Sequence, residues 1–290
     1  MKDITVLLTA AGYFGANTLV ENLKNNKERQ IRVIGTDINS NSTARRYCDR
    51  FYEVPGGKDP EFIPAIKQIC SKENVDVILP ASSYDIYQLA FHRKEFKAEI
   101  MVSSTATSEI TLDKFKTYQR LSGIVPLPSY FYSYDGFVVK STIGKGGREV
   151  EVFRQKNCLV MEKLSGEEID VDVLSYNREV LLTIFKIRER TYGGTLVEGT
   201  IVDRPYLREQ IEKIVKEIPF QYLSVIQFMG GKLLEINPRI AGAVPYFDWN
   251  MPYLAIKLAL GEITPEEVKR YESHIPFGTK MYRYLEQAYG

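Results

Sequence analysis

Histidine is nearly missing from this chain of 290 residues: only His92 and His274 occur, and neither stands near another candidate ligand. That argues against His-rich zinc sites and repeated histidine bases, and both rings are expected on the surface or in packing. Cysteine is as scarce. Cys48, Cys70 and Cys158 are odd in number, far apart and outside any Cys-x-x-Cys pattern, which fits reduced thiols and a cytoplasmic location. Charge of one sign is not in excess, with 38 Lys plus Arg against 37 Asp plus Glu, so nothing favours nucleic acid or an acidic membrane as partner. No apolar run approaches membrane-spanning length. The opening "MKDITVLLTAAG" is too short in its apolar part, and wrongly flanked, for a signal peptide. Lys, Arg, Glu, Asp, Asn and Gln remain to carry any chemistry. That set suits phosphates and magnesium.

What is present is regular. The first third alternates strands ("DITVLLTA", "IRVIGTD", "RFYEVP", "VDVILP", "EIMVS") with helices, one of them opened by Asp59 and Pro60. This alternation predicts an open, doubly wound parallel sheet. One helix is expected over 108–122. After Gly123 and the Pro126/Pro128 pair come closely spaced strands: "DGFVVK", "REVEVF", "CLVMEK", "EEIDVDVL" and "EVLLTIFKIRER". They predict an antiparallel α+β region. Helices return at 206–218, at about 251–260 ahead of Gly261, and after the capping box of Thr264 and Glu267.

The stretch "LSVIQFMGGKLLEINPR" reads as a hairpin around Gly230-Gly231. One apolar face requires Phe228 opposite Leu234 and Ile226 opposite Ile236, which places Gln227 opposite Glu235 and predicts an odd loop of about three residues. Glu235, Asn237 and Arg239 then share the polar face with Gln227. The set reads either as oxygen ligands of a metal beside an anion, or as a solvated sheet face.

Three more segments bear on that choice. "FVVKSTIGKGGREV" puts Lys140 at a strand end before a loop with Gly144, Gly146 and Gly147, whose backbone can approach phosphate. "LVMEKLSGEEIDVDVL" supplies a bend at Ser165-Gly166 and then an acidic strand; Asp170 and Asp172 are read as its polar outer face. "TLDKFKTYQRLSGIVPLPSY" puts Lys114 near a helix start, while Lys116 reads as a surface charge.

In this order, "DK…LSGIVPLPSY", "VVKSTIGKGGREV", "MEKLSGEEIDVDVL" and "VIQF…KLLEINPRIAGA" resemble the ATP-grasp superfamily, and within it the carbamoyl-phosphate-synthase-like carboxylate–amine ligases. "GTDINSNSTARRYCDRFYEVP" is similar to the domain that precedes the grasp, so the resemblance spans nearly the whole chain. It implies a Rossmann-like pre-ATP-grasp domain over 1–107, a linker helix and reduced lid over 108–165, and a C-terminal ATP-grasp domain with the metal site over 166–290. The implied cofactors are ATP and Mg2+ or Mn2+. Lys114 and Lys140 would contact phosphates and Gly144, Gly146 and Gly147 form the lid. The backbone at Glu162, Lys163 and Leu164 would read adenine, and Glu168 ribose. Gln227, Glu235 and Asn237 would ligate the metal, with Arg239 and Lys140 catalytic. The gaps "SYFYSYDG" and "RQKN" are shorter than in the family, which predicts a lid of little more than a small sheet. A partner subunit could supply the missing cover.

The implied reaction joins a small carboxylate to an amine, or to a thiol, through an acyl phosphate. Arg188 and Arg190, before "TYGGT", are candidates for holding the substrate carboxylate. Tyr246, Phe247 and Trp249 are read as packing. Two rival readings stand. A nicotinamide-dependent oxidoreductase would use "TAAGYFGANTLVENL" with Asp37, where Ala10 replaces the first glycine of the dinucleotide fingerprint. A non-catalytic ATP-binding subunit of a larger complex would not need the full Gln227, Glu235, Asn237 and Arg239 set. A homodimer is the default assembly.

Overall fold

The computed structural model describes residues 1–140, 150–240, 247 and 249–283. The predicted lid glycines Gly144, Gly146 and Gly147, and Tyr246, lie outside the described residues. The first unit runs β1 (Ile4–Thr9), α1 (Ala16–Lys24), β2 (Ile31–Asp37), β3 (Arg50–Glu53), α2 (Phe62–Glu73), β4 (Val77–Pro80), α3 (Ser83–Phe91) and β5 (Glu99–Ile100). All its strand pairs are parallel, in the order β3-β2-β1-β4-β5. β4 is buried along its whole length, as a strand covered on both faces must be. The helix opened by Asp59 starts later than predicted: Asp59 Oδ1 accepts from Glu61 N–H, and α2 begins at Phe62.

The linker holds two helices where one was expected: α4 (Thr105–Leu112) and α5 (Lys114–Leu121). Asp113 breaks them apart. Its side chain accepts from Phe115 N–H and Lys116 N–H, so it caps α5 and its backbone is extended rather than helical. Next come β6 (Tyr130–Ser133), β7 (Phe137–Lys140), β8 (Val150–Phe153) and β9 (Cys158–Met161), which form two separate antiparallel ribbons, β6-β9 and β7-β8. The predicted small lid sheet is therefore two ribbons.

The remainder is β10 (Glu168–Tyr176), β11 (Glu179–Tyr192), β12 (Thr195–Val202), α6 (Pro205–Glu217), β13 (Tyr222–Met229), β14 (Lys232–Asn237), α7 (Met251–Ala259), α8 (Pro265–Lys269) and β15 (Lys280–Tyr282). Its strands make one antiparallel sheet, β14-β13-β10-β11-β12-β15. One face packs Ile169, Val171, Phe185, Ile226, Phe228 and Ile236 on the apolar stripe of α6, where Leu207, Ile211 and Ile214 are buried. The other face is divided. At one end Leu174, Leu182 and Ile184 join α7 and the β1 and β2 core in a single cluster. Its other end is polar.

Candidate active site

The polar half of that face follows from register alone. Glu235 lies opposite Gln227, Gln227 opposite Asp170, and Asp170 opposite Lys186, a row across four adjacent strands. The next row on the same face places Asn237 opposite Val225 and Val225 opposite Asp172. The predicted pairings Ile226–Ile236 and Gln227–Glu235 are both present.

The turn was predicted wrongly. Met229 pairs with Lys232, so Gly230 and Gly231 form a two-residue loop, with φ of 56° and 79°, the doubly left-handed geometry favoured in hairpins. The odd residue sits in the strand instead, where the register shifts between Gln227 and Phe228 and Phe228 pairs with Leu233 rather than Leu234. Leu233 enters the core and Leu234 is half-buried. Tyr118 of α5 donates its hydroxyl to the carbonyls of Leu234 at 2.7 Å and Leu233 at 3.2 Å, so this bulge keeps its backbone acceptors satisfied. Burial and the charge of Glu235 push the Tyr118 phenol up to about 12.

The same helix delivers Lys114. Capped by Asp113, α5 starts at Lys114, whose ammonium bonds Glu235 Oε2. Asn237 Nδ2 donates to the other oxygen at 2.9 Å. Burial would raise the Glu235 carboxyl, but these two bonds and the charges of Lys114 and Arg239 outweigh it and hold it below the usual range. Gln227 Nε2 donates to Asp170 Oδ1 at 2.8 Å. Gln227, Glu235 and Asn237 thus share one polar face and offer only carboxamide and carboxylate oxygens as ligands, a hard donor set. Such a set fits Mg2+.

Asp170 and Asp172 do not form a solvated outer face, contrary to expectation. Asp170 takes two bonds from Arg188 Nη1, at 3.0 and 2.8 Å. Asp172 meets Lys186 at 2.5 Å, with side-chain exposures of 6% and 1%. Burial raises the Asp172 carboxyl to about 6 although Lys186 opposes this. Alternation told which residues share the face, not what covers it. Lys186 was missed outright, and its one signal was a lone charge inside the apolar run "LLTIFKI".

Arg188 also pairs through Nε with Glu168 at 2.8 Å and donates to Gly194 O at 2.8 Å. Arg190 pairs with Glu198 on an exposed stretch. Thus the structure gathers Lys114, Glu168, Arg188, Gln227, Glu235 and Asn237 on one face and leaves Arg190 at its edge. Arg239 follows directly; its N–H donates to Asn237 O at 2.8 Å. Lys140 ends β7 and is exposed. At the bend, Glu162 N–H and Ser129 O bond at 2.9 Å, Ser129 N–H and Glu162 Oε2 at 3.1 Å, and Lys232 pairs with Glu162 Oε1. These partners hold the Glu162 carboxyl down at about 2. Lys163 is exposed, Leu164 half-buried. Gly230 packs so closely on the bend that a Cβ there would stand 2.4 Å from Ser165 O. Phe247 and Trp249 pack as expected, with Trp249 also 5.2 Å from the Tyr271 ring.

In the first unit Asp37 accepts from Gly12 N–H at 2.8 Å and Asn39 N–H at 3.0 Å. The acid that the dinucleotide reading would aim at a ribose therefore braces its own loop. Ala10 has φ 49°, a conformation that favours glycine.

A parallel sheet followed by two small ribbons and an antiparallel sheet with this oxygen-rich face is the ATP-grasp architecture. Residues 154–278 match the family described as ATP-grasp in the biosynthetic pathway with Ter operon, and residues 6–103 match the PylC-like N-terminal domain. The chain thus carries an ATP-grasp domain behind a PylC-like N-terminal domain. No curated protein matches it by sequence. Among solved structures it is similar to N5-carboxyaminoimidazole synthetase from Staphylococcus aureus complexed with ADP, at 15% identity and TM-score 0.63, covering 87% of this chain and 77% of that one. The biotin carboxylase domain dimer of Hydrogenobacter thermophilus 2-oxoglutarate carboxylase, in complex with MgADP, ADP and bicarbonate, has 15% identity and TM-score 0.63, covering 97% and 74%. Phosphoribosylglycinamide synthetase from Anaerococcus prevotii has 15% identity and TM-score 0.58, covering 83% and 69%. At these identities the likeness is one of fold. Among the described residues no helix is long and apolar enough to cross a membrane.

Proposed function

We propose that the chain is an ATP-dependent ligase that joins a small carboxylic acid to an amine. The observation that carries this reading is the convergence of Lys114, Gln227, Glu235, Asn237 and Arg239 at one end of the antiparallel sheet, in a chain with an ATP-grasp domain. In this reading Gln227, Glu235 and Asn237 hold Mg2+, which when bound neutralises phosphate charge. Lys114 exchanges Glu235 for a phosphate oxygen, and Lys140 closes on the phosphates from its ribbon. The backbone at Glu162, Lys163 and Leu164 faces adenine, and Glu168 shares itself between Arg188 and ribose. Both ADP-bound and MgADP-bound neighbours support this cofactor choice.

The reaction needs positioning and charge more than covalent help. A substrate carboxylate oxygen attacks the γ-phosphorus and ADP leaves, giving an acyl phosphate. The amine nitrogen then attacks the acyl carbon, inorganic phosphate leaves with the bonding pair, and the nitrogen loses a proton. Arg239 faces the phosphoryl oxygens throughout, as a planar fork that lysine could not replace. A homodimer is the assembly we propose.

Thermal unfolding with Mg-ATP, Mg-ADP and NAD(P) in parallel tests this. Binding to the folded state raises stability by about 2.7 kcal/mol at a hundredfold excess over Kd. Magnesium-dependent stabilisation by ATP or ADP, lost in Glu235→Ala, is expected. Stabilisation by NAD(P) alone would overturn the reading.

A further inference from the structure

A cavity of about 540 Å³ shares no lining residue with the polar face of the antiparallel sheet. It lies on the seam between the first unit and the C-terminal one, where Glu28, from the loop after α1, meets Tyr253 and Lys257 of α7. Small-molecule sites of this volume favour such domain seams.

The acids of the cavity are already spent. Lys257 Nζ donates to both Glu28 oxygens, at 3.0 and 2.9 Å, and the Tyr253 hydroxyl donates to Oε2 at 3.2 Å. Glu262 pairs with Arg29, whose side chain is sealed from solvent. Glu267 accepts from the Thr264 N–H at 2.8 Å and from its hydroxyl at 3.0 Å. Those bonds first, then the charges of Arg270 and Lys257, hold the Glu267 carboxyl below the usual range.

What is left over is of the other kind. Arg270 and His274 bound one short 3-10 turn, line the cavity and are exposed. Among the described residues the Arg270 guanidinium makes no ion pair, although Glu267 feels its charge. His274 Nδ1 stands 3.3 Å from Arg270 O, which leaves Nε2 to face a guest. The walls are aromatic: the Trp249 and Tyr271 ring centres lie 5.2 Å apart at 56°, and Tyr271 and His274 6.2 Å apart. Rings so inclined do not cover each other's faces, and a flat guest can stack there. Trp249 is 8% exposed, and its indole N–H is a donor without an acceptor. The uncommitted groups are thus donors and ring faces. A guanidinium fork of this kind suits carboxylate or phosphate.

We infer that this cavity is a second, non-catalytic site for a flat aromatic molecule bearing one carboxylate or phosphate, its anion on Arg270 and His274 and its ring against Trp249 and Tyr271. Such a ligand bridges the two units and acts as an effector, not a substrate. The inference goes beyond the ligase reading and does not rest on it. Trp249 is the chain's one tryptophan, so its emission reports this cavity alone. Titration with phenyl phosphate and with benzoate tests the site, followed by Trp249 emission and by calorimetry. Benzylamine, benzyl alcohol and inorganic phosphate are the contrasts. Saturable binding of phenyl phosphate or benzoate is expected, and the tighter of the two tells which anion is read. Arg270→Gln, on an exposed side chain, should weaken it about tenfold or more, Arg270→Lys should weaken it less, and saturating Mg-ADP should leave it unchanged. Binding of neither anion, equal binding of any contrast, indifference to Arg270→Gln, or displacement by Mg-ADP would overturn the inference.

Discussion

The floor and the roof of the candidate site are built on opposite terms. The floor, on β10, β11, β13 and β14, ties nearly every charge to a partner: Lys186 to Asp172, Arg188 to Asp170 and Glu168, Gln227 to Asp170, Asn237 to Glu235. The β7-β8 ribbon, which in the proposed reading is the roof, leaves Val138 and Val152 at 50% and 61% exposure, and among the described residues Phe137 and Phe153 stack across it. In the proposed reading the floor would hold a metal and must be rigid to select geometry, whereas a cover must come and go. The two lysines that meet the floor differ in the same way. Lys186 is sealed in, whereas Lys114, which reaches Glu235 from α5, is 64% exposed.

Breaking the floor should have the largest effect. Lys186→Met leaves Asp172 buried without its cation and should cost about 3–5 kcal/mol, read by urea denaturation; adding Asp172→Leu should restore most of it. A finer break is Asp170→Asn, which loosens the partner that orients Gln227. The Mg2+ needed for half-maximal ATP stabilisation should rise about tenfold, alongside a lower unfolding midpoint because buried Arg188 loses one of its two carboxylate partners. An unchanged Mg2+ requirement would separate Gln227 from the metal.

The buried pair also has a pH signature. Because the folded Asp172 carboxyl titrates at about 6, against about 3.9 in an unfolded chain, the fold binds this proton more tightly than the unfolded chain. Its contribution to stability is therefore full below about pH 4 and is lost as pH rises through 6. In Asp172→Asn that part of the slope between pH 4 and 6 should vanish from the urea midpoints. Smallest is the roof. Phe153→Ala removes a stack worth about 1 kcal/mol, so amide exchange should quicken at 137–140 and 150–153 while the global midpoint holds.

The same contrast explains what the sequence made legible. Strand alternation set the Gln227–Glu235 pairing, because Ile226 and Ile236 must share a core. It could not say that the extra residue lies in β14, since the donor to those carbonyls is Tyr118, more than a hundred positions away. Nor could alternation separate a wet face from a buried polar one, and so Asp170 and Asp172 were misread. The break at Asp113 was legible in principle, as an aspartate two residues ahead of the amide it caps. A helix pattern of apolar residues simply runs through it.

The bulge at Leu234 also decouples two timetables of change in the hairpin. The glycine turn answers to the Ser165–Gly166 bend it touches, while Glu235 and Asn237 answer to the core. Loss of the single bulged residue would rotate every later side chain of β14 by half a turn, sending Glu235 and Asn237 inward and Ile236 out. An insertion of two residues at the turn would leave their facing intact. Length variation in this hairpin should therefore come in even steps at its tip and be forbidden at its middle, a parity rule written into one residue of backbone.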